Sequence, residues 1–271
     1  MIFGLEQWYS GNDVDFDYSK IRPAGAILKT LGGRAAGPQP LIDLLKFTRR
    51  KILDNQNRRL SNLDIHDIIC KIGEIVKAGG VIRAALISLS DLDDIEMREA
   101  KHGQFWANNP QRGMANDSAV YQEKPTALEF LQEWTALVES GTGERGIFNR
   151  AGLEQQMPKR RWKTFKNHYD SSGTNPCGEI VLRNKQFCNL TSVAVREEDT
   201  LETLKEKIRL ASILGTFQAS LTDFPYLSKE WEQNCKEEAL LGVSITGYWD
   251  NEMIRDAKVL QTLEEVSVKT S

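Results

Sequence analysis

Cysteine is scarce in this chain: four among 271 residues, at positions 70, 177, 188 and 235. That is too few for the disulfide framework of a secreted domain, and no Cys-x-x-Cys pair suggests zinc. Histidine is scarcer still, and His66, His102 and His168 are scattered, which argues against a histidine metal site. No apolar run reaches the length of about 18 residues that a membrane-crossing helix needs. The opening Met1-Ile-Phe-Gly-Leu-Glu lacks the basic start and long apolar core of a signal peptide. A cytoplasmic chain with no membrane partner is therefore expected. Neither sign of charge dominates: the formal net charge of −3 gives no general pull toward nucleic acid or an anionic surface. Internal repeats and low-complexity tracts are lacking too. What is present, 40% hydrophobic and 27% charged residues, suits one large domain or two small ones.

Helix-like and strand-like segments alternate. Leu41, Leu44, Leu45 and Ile52 predict a helix within 38–56, and Leu63, Ile65, Ile68, Ile69, Ile72 and Ile75 predict one over 61–77, with Ser61 and Asp64 as a capping-box variant. Strands are expected at 81–90, 118–122, 146–149, 179–182 and 191–195. A helix over 125–139 would carry Pro125 in its first turn, and from Leu201 onward the chain reads as mostly helical. Strand and helix in alternation argue for an α/β domain with parallel pairing.

The stretch Gly173-Thr-Asn-Pro-Cys-Gly-Glu-Ile-Val-Leu-Arg-Asn-Lys-Gln-Phe-Cys-Asn-Leu190 gathers Asn175, Cys177, Glu179 and Cys188. Were it extended, residues 175, 177 and 179 would face one side, bringing a carboxamide, a thiol and a carboxylate to one small ligand. Against this stands the commoner fate of an isolated cysteine, burial as a small hydrophobe. Cys70, beside Ile69 and Ile72, and Cys235, in a charged helix, are read that way.

This stretch resembles the active-site loop of the ribonucleotide reductase large subunit, in particular the adenosylcobalamin-dependent type with Asn-Pro-Cys-Gly-Glu and a second Cys eleven residues later. Phe16-Asp-Tyr-Ser-Lys-Ile-Arg-Pro-Ala-Gly25, Gly32-Gly-Arg-Ala-Ala-Gly-Pro38, the run from Asp67 through Gly79-Gly-Val, Ala85-Leu-Ile-Ser-Leu-Ser-Asp-Leu-Asp-Asp94, Gly143-Glu-Arg-Gly-Ile-Phe-Asn149 and Leu240-Leu-Gly-Val-Ser244 resemble the same family, in its order. The resemblance implies a ten-stranded α/β barrel. This chain would supply a part of it: a first half-barrel over 1–170, the active-site loop and adjoining strands over 171–200, and the helical start of the second half over 201–271. The family's first redox cysteine, its substrate-phosphate loop and its C-terminal cysteine pair would fall outside the sequence, so complementary reductase chains and a thioredoxin-like reductant are implied as partners.

Chemistry follows from the same resemblance. Cys177 would become a transient thiyl and take the ribose 3′-hydrogen, Glu179 would accept the 3′-OH proton, Asn175 would orient the hydroxyls, and Cys188 would supply reducing equivalents. Adenosylcobalamin is the implied cofactor, with a ribonucleotide substrate and a deoxynucleotide effector. Trp106-Ala-Asn-Asn-Pro-Gln-Arg-Gly-Met-Ala-Asn116 resembles the family's specificity loop, which offers Asn109, Gln111 and Arg112 to a nucleotide. Gly79 and Gly80 are candidate nucleotide contacts as well, although Ile82, Arg83 and Ala84 depart there from the family's usual two arginines and a serine. The basic, aromatic segment 159–166 reads as a solvated surface rather than a nucleic-acid contact. Two other readings stay open: a reductase whose radical comes from a metal-containing subunit, and a non-catalytic nucleotide-binding or assembly module.

Overall fold

In the computed structural model, which describes residues 1–29, 32–77 and 84–271, the apolar spacing of the first eighty residues closes into helices. The chain runs α1 (Ile2–Tyr9), α2 (Gln39–Leu53), α3 (Asn62–Lys77), β1 (Leu86–Ser90), α4 (Ile95–Arg98), α5 (Phe105–Asn108), β2 (Ala115–Tyr121), α6 (Ala127–Ser140), β3 (Gly146–Asn149), α7 (Leu153–Gln156) and α8 (Lys159–Phe165). It continues with β4 (Gly173–Thr174), β5 (Val181–Leu182), β6 (Asn189–Ala194), α9 (Leu201–Ala219), α10 (Lys229–Glu238), β7 (Leu241–Thr246) and α11 (Ala257–Thr270). Two compact units result: Met1–Lys163 with Thr174–Gly178, and Thr164–Gly173 with Glu179–Ser271.

In the first unit β1, β2 and β3 form a parallel sheet with β2 in the centre, Ser88 opposite Asp117 and Ser118 opposite Gly146. Parallel strands joined through helices bury their central member, and in β2 all but Asn116 are buried. Trp8, Leu45 and Ile52 close a core between α1 and α2, and Phe16 meets the Trp8 ring edge-on at 6.0 Å. Reciprocal bonds between Ser61 and the Asp64 backbone, and between Asp64 and the Ser61 amide, start α3 as expected. Asp94 caps α4 by accepting from Met97 N. Pro125 lies outside its helix: Thr126 is the cap, boxed with Glu129, because a hydroxyl satisfies the first free amides and proline cannot.

In the second unit β6 and β7 pair in parallel, Asn189 opposite Leu241 and Ala194 opposite Thr246. After Leu201 the chain is mostly helical, as expected, and the strand β7 is added between α10 and α11. Gly242 sits where a Cβ would come within 2.7 Å of Leu190, so the glycine that weakens the strand pattern is what lets β7 lie against β6. Helix α9 covers the pair, with α11 beside it, and Val193, Val195, Leu204, Ile208, Ile254 and Leu263 make the core. The mixed α/β class with parallel sheets is thus observed. Gly79 and Gly80, and the start of the strand expected over 81–90, lie outside the described residues.

Candidate active site

Residues 175–178 form a tight turn, not the extended run expected. Gly178 N donates to Asn175 O at 3.0 Å, and Gly178 has φ +86°. Pro176 fixes φ at the second position, and glycine accepts the left-handed conformation at the fourth. Period-two alternation of 175, 177 and 179 therefore fails. Cys177 instead stands at the tip of the turn, an exposed free thiol. The turn is tied to the centre of its unit, since Asn116 Nδ2 on β2 donates to Pro176 O at 3.2 Å. Asn175 is half-buried, and its Oδ1 accepts from Thr174 Oγ1 at 3.4 Å.

Glu179 and Cys188 belong to the second unit. Glu179 is exposed and Cys188 half-buried. Burial pushes the Cys188 thiol above its ordinary value, and the negative charge of Glu179 adds to the shift. That coupling brings two of the expected residues into one electrostatic environment. Cys188 also lines a cavity of about 220 Å³ with Phe187, Asn189, Thr222, Phe224 and Cys235.

The expected nucleotide ligands at 109–112 behave differently from one another. Asn109 is half-buried, whereas Gln111 and Arg112 turn inward onto Asp67, which is fully buried on α3. Arg112 grips that carboxylate through Nε at 2.7 Å and a terminal nitrogen at 3.0 Å, Gln111 Nε2 donates at 3.0 Å, and Lys51 Nζ at 2.9 Å. Burial alone would raise the Asp67 carboxyl, but the hydrogen bonds from Arg112 and Lys51 outweigh it and hold the group below its ordinary value. A nucleotide would have to compete with Asp67 for these donors. The loop is thereby braced against α3.

Sequence reasoning missed a second buried cluster. Asp117 on β2 is 3% exposed and neither oxygen accepts a hydrogen bond. His66 Nε2 lies 3.7 Å from it and Lys101 Nζ 3.9 Å, while Lys101 is held at 2.9 Å by Glu144, which also accepts from Asp117 N at 2.6 Å. Burial raises the Asp117 carboxyl to about 7 and the nearby Cys70 thiol to about 12. Arg145 is equally hidden: it forks onto Glu133 at 2.8 and 3.0 Å and donates to Ser90 Oγ at 2.6 Å. Glu144 and Arg145 stand just before β3, and only burial reveals their role. Lys159, Arg160, Lys163 and Lys166 are exposed. Among the described residues no cluster of three or more His, Cys, Asp or Glu could hold a metal ion, and no helix is long and apolar enough to cross a membrane.

No protein-family model matches the sequence. The adenosylcobalamin-dependent ribonucleoside-triphosphate reductase of Lactobacillus delbrueckii subsp. bulgaricus is 32% identical over 250 residues, 86% of this chain and 31% of that protein. The protein of the same description from Euglena gracilis is 28% identical over 237 residues, 87% of this chain and 31% of its own length. A crystal structure of a B-12 dependent (class II) ribonucleotide reductase superposes with a TM-score of 0.62 at 26% identity, covering 85% of this chain and 31% of that one. These matches make the chain a homologue of ribonucleotide reductases. Its likeness is to the adenosylcobalamin-dependent, class II kind, of which it spans about a third of the length.

Proposed function

We propose that this chain carries the radical-cysteine loop of an adenosylcobalamin-dependent ribonucleotide reductase, an oxidoreductase that converts ribonucleotides to deoxyribonucleotides. The observation that carries the reading is Cys177: an exposed thiol at the apex of a proline- and glycine-shaped turn anchored to β2, in a segment collinear with the reductases. Adenosylcobalamin, when bound, supplies a one-electron oxidant strong enough to take a hydrogen atom from a thiol. The uncovered Cys177 sulfur fits that requirement, because a thiol buried in the core would be out of reach.

From there the chain's own residues act. Cys177, as a thiyl, removes the ribose 3′-hydrogen and returns it at the end. Glu179 accepts the 3′-OH proton as general base, and Asn175 holds the ribose hydroxyls. Cys188 gives a proton to the departing 2′-OH, which leaves as water, and the two electrons of the reduction come from Cys188 and a second thiol that end joined as a disulfide. The raised proton affinity of Cys188 suits a donor that must stay protonated until the leaving group departs.

The wider architecture follows the same reading: residues 1–170 as a first half-barrel with the specificity loop, 171–200 as the active-site loop, and 201–271 as the start of the second half of a ten-stranded barrel. Parallel strands with open edges favour further strands beside them, and complementary reductase polypeptide is the partner that would supply them. Asn109 is the member of 109–112 best placed for a nucleotide. Gln111 and Arg112 then act by bracing the loop that carries it, with deoxynucleotide effector and thioredoxin-like reductant as further partners. The test combines the chain with complementary polypeptide from a class II relative, adenosylcobalamin, a dithiol and a ribonucleoside triphosphate. Deoxynucleotide should form, and Cys177→Ser should abolish it. Equal turnover by the variant would remove the mechanism.

A further inference from the structure

Strand β2 ends at Tyr121 and β3 at Asn149, and a cavity of about 430 Å³ opens there, bordered by the start of α6 and by residues 151–155. The carboxyl ends of parallel strands are where open α/β sheets hold ligands, and this volume falls in the range of small-molecule sites. The cavity is separate from the Cys177 turn. Asn116, whose side chain ties that turn, precedes Tyr121 on the same strand by five residues, about 16 Å at about 3.3 Å per residue.

Apolar groups make most of the wall. Phe130 on α6 and Ile147 on β3 are 41% and 56% exposed and line the cavity together with Pro125 and Ala151. Such side chains cover a ring system, and an aromatic one stacks on it. The polar groups carry one sign only. Lys124 is exposed and has no ion-pair partner, Asn149 and Gln155 are exposed carboxamides, and none of the described residues that line the cavity is an aspartate or a glutamate. Glu129, on the first turn of α6, is occupied elsewhere, accepting from Thr126 N at 2.8 Å and Thr126 Oγ1 at 2.7 Å. An ammonium and two carboxamides offer N–H donors that match the acceptor-only oxygens of a carboxylate. Gly152 leaves the Asn149 carboxamide its place, since a Cβ there would come within 2.9 Å of Asn149 Nδ2. Tyr121, which also lines the cavity, is 3% exposed, and its hydroxyl has no hydrogen-bond partner; a polar atom entering the cavity would relieve that cost.

We propose that this cavity binds a small aromatic carboxylate, with the ring against Phe130 and Ile147 and the carboxylate on Lys124 and the carboxamides of Asn149 and Gln155. The interaction is non-covalent and independent of the reductase reading.

The probe is naphthalene-2-carboxylate, measured by equilibrium dialysis against the full chain, with naphthalene-2-carboxamide as its uncharged counterpart. Saturable binding is expected, with the carboxylate held about tenfold more tightly than the amide, as loss of a charge-assisted hydrogen bond implies. Lys124→Gln should weaken the carboxylate about tenfold and leave the amide unchanged, whereas Ile147→Asp should weaken both about tenfold. In a chain labelled with carbon-13 at its isoleucine methyls, the Ile147 signal should shift when the carboxylate is added. Both substituted residues are exposed, and circular dichroism checks that each variant folds; should Ile147→Asp not fold, Lys124→Gln and the methyl shift decide. Carboxylate and amide bound alike, binding indifferent to the substitutions, or no saturable binding up to about 1 mM would overturn the proposal. Neither nucleotide nor cobalamin enters this assay, so its failure and that of the reductase assay are distinct.

Discussion

Asp117 makes the stability of the first unit depend on pH in a direction opposite to most carboxylates. It is 3% exposed and accepts no hydrogen bond; Lys101, at 3.9 Å, is already held at 2.9 Å by Glu144, and burial lowers the proton affinity of His66, which lies 3.7 Å away. Desolvation therefore outweighs attraction, and the carboxyl rises from 3.8 to about 7. A folded-state value above the unfolded one stabilises the protein fully below about pH 4, and the contribution is lost as pH rises through about 7. Three units at about 1.4 kcal/mol each set an upper bound of about 4 kcal/mol. Asp117→Asn removes the titration at nearly constant shape. It also weakens the pull on Lys101 and leaves a buried amide to satisfy, so the net gain at pH 8 should be about 1 to 3 kcal/mol. Urea unfolding of both proteins from pH 4 to 8, followed by a probe in the first unit, should show the variant's advantage growing up to pH 7 and level beyond it. An advantage that shrinks with rising pH, or a pH-independent loss, would refute the reasoning.

Other perturbations address other joints. Asp67→Ala strands Arg112 and Lys51 without their buried partner and should cost about 3 to 5 kcal/mol, measurable as a lowered urea midpoint. Gly215→Ala would bring a Cβ within 2.1 Å of Leu241 Cδ1, so repacking between α9 and β7 should cost about 1 to 3 kcal/mol, readable in thermal unfolding of the second unit. Glu179→Gln removes the charge that adds to burial in raising the Cys188 thiol; iodoacetamide should then alkylate Cys188 faster at pH 8, and an unchanged rate would break the electrostatic link.

The elements that the sequence revealed are those whose signal is local. Helices α2 and α3 follow from leucine and isoleucine spacing, and the start at Ser61 from a side chain that can satisfy the first amides. Strand β7 escaped because Gly242 breaks its apolar run for a reason that lies on another strand, the Leu190 side chain. The turn at 175–178 was misread because alternation was assumed where Pro176 and Gly178 together dictate reversal. Of the candidate site, Cys177 and its companions were visible as a motif. The exposure of Cys177, the inward pull of Asp67 on Gln111 and Arg112, and the isolation of Asp117 were not, since burial and ion pairing depend on segments 16 to 45 residues apart closing on each other.

The central claim, a sulfur radical at Cys177, is tested most directly by electron paramagnetic resonance on the chain assembled with its complementary polypeptide, adenosylcobalamin and effector. Cysteine labelled with deuterium at its β-carbon should narrow the hyperfine pattern of the signal, and Cys177→Ser should lose that component while Cys188→Ser keeps it. A signal that is indifferent to the label, or that persists unchanged in Cys177→Ser, would contradict the account.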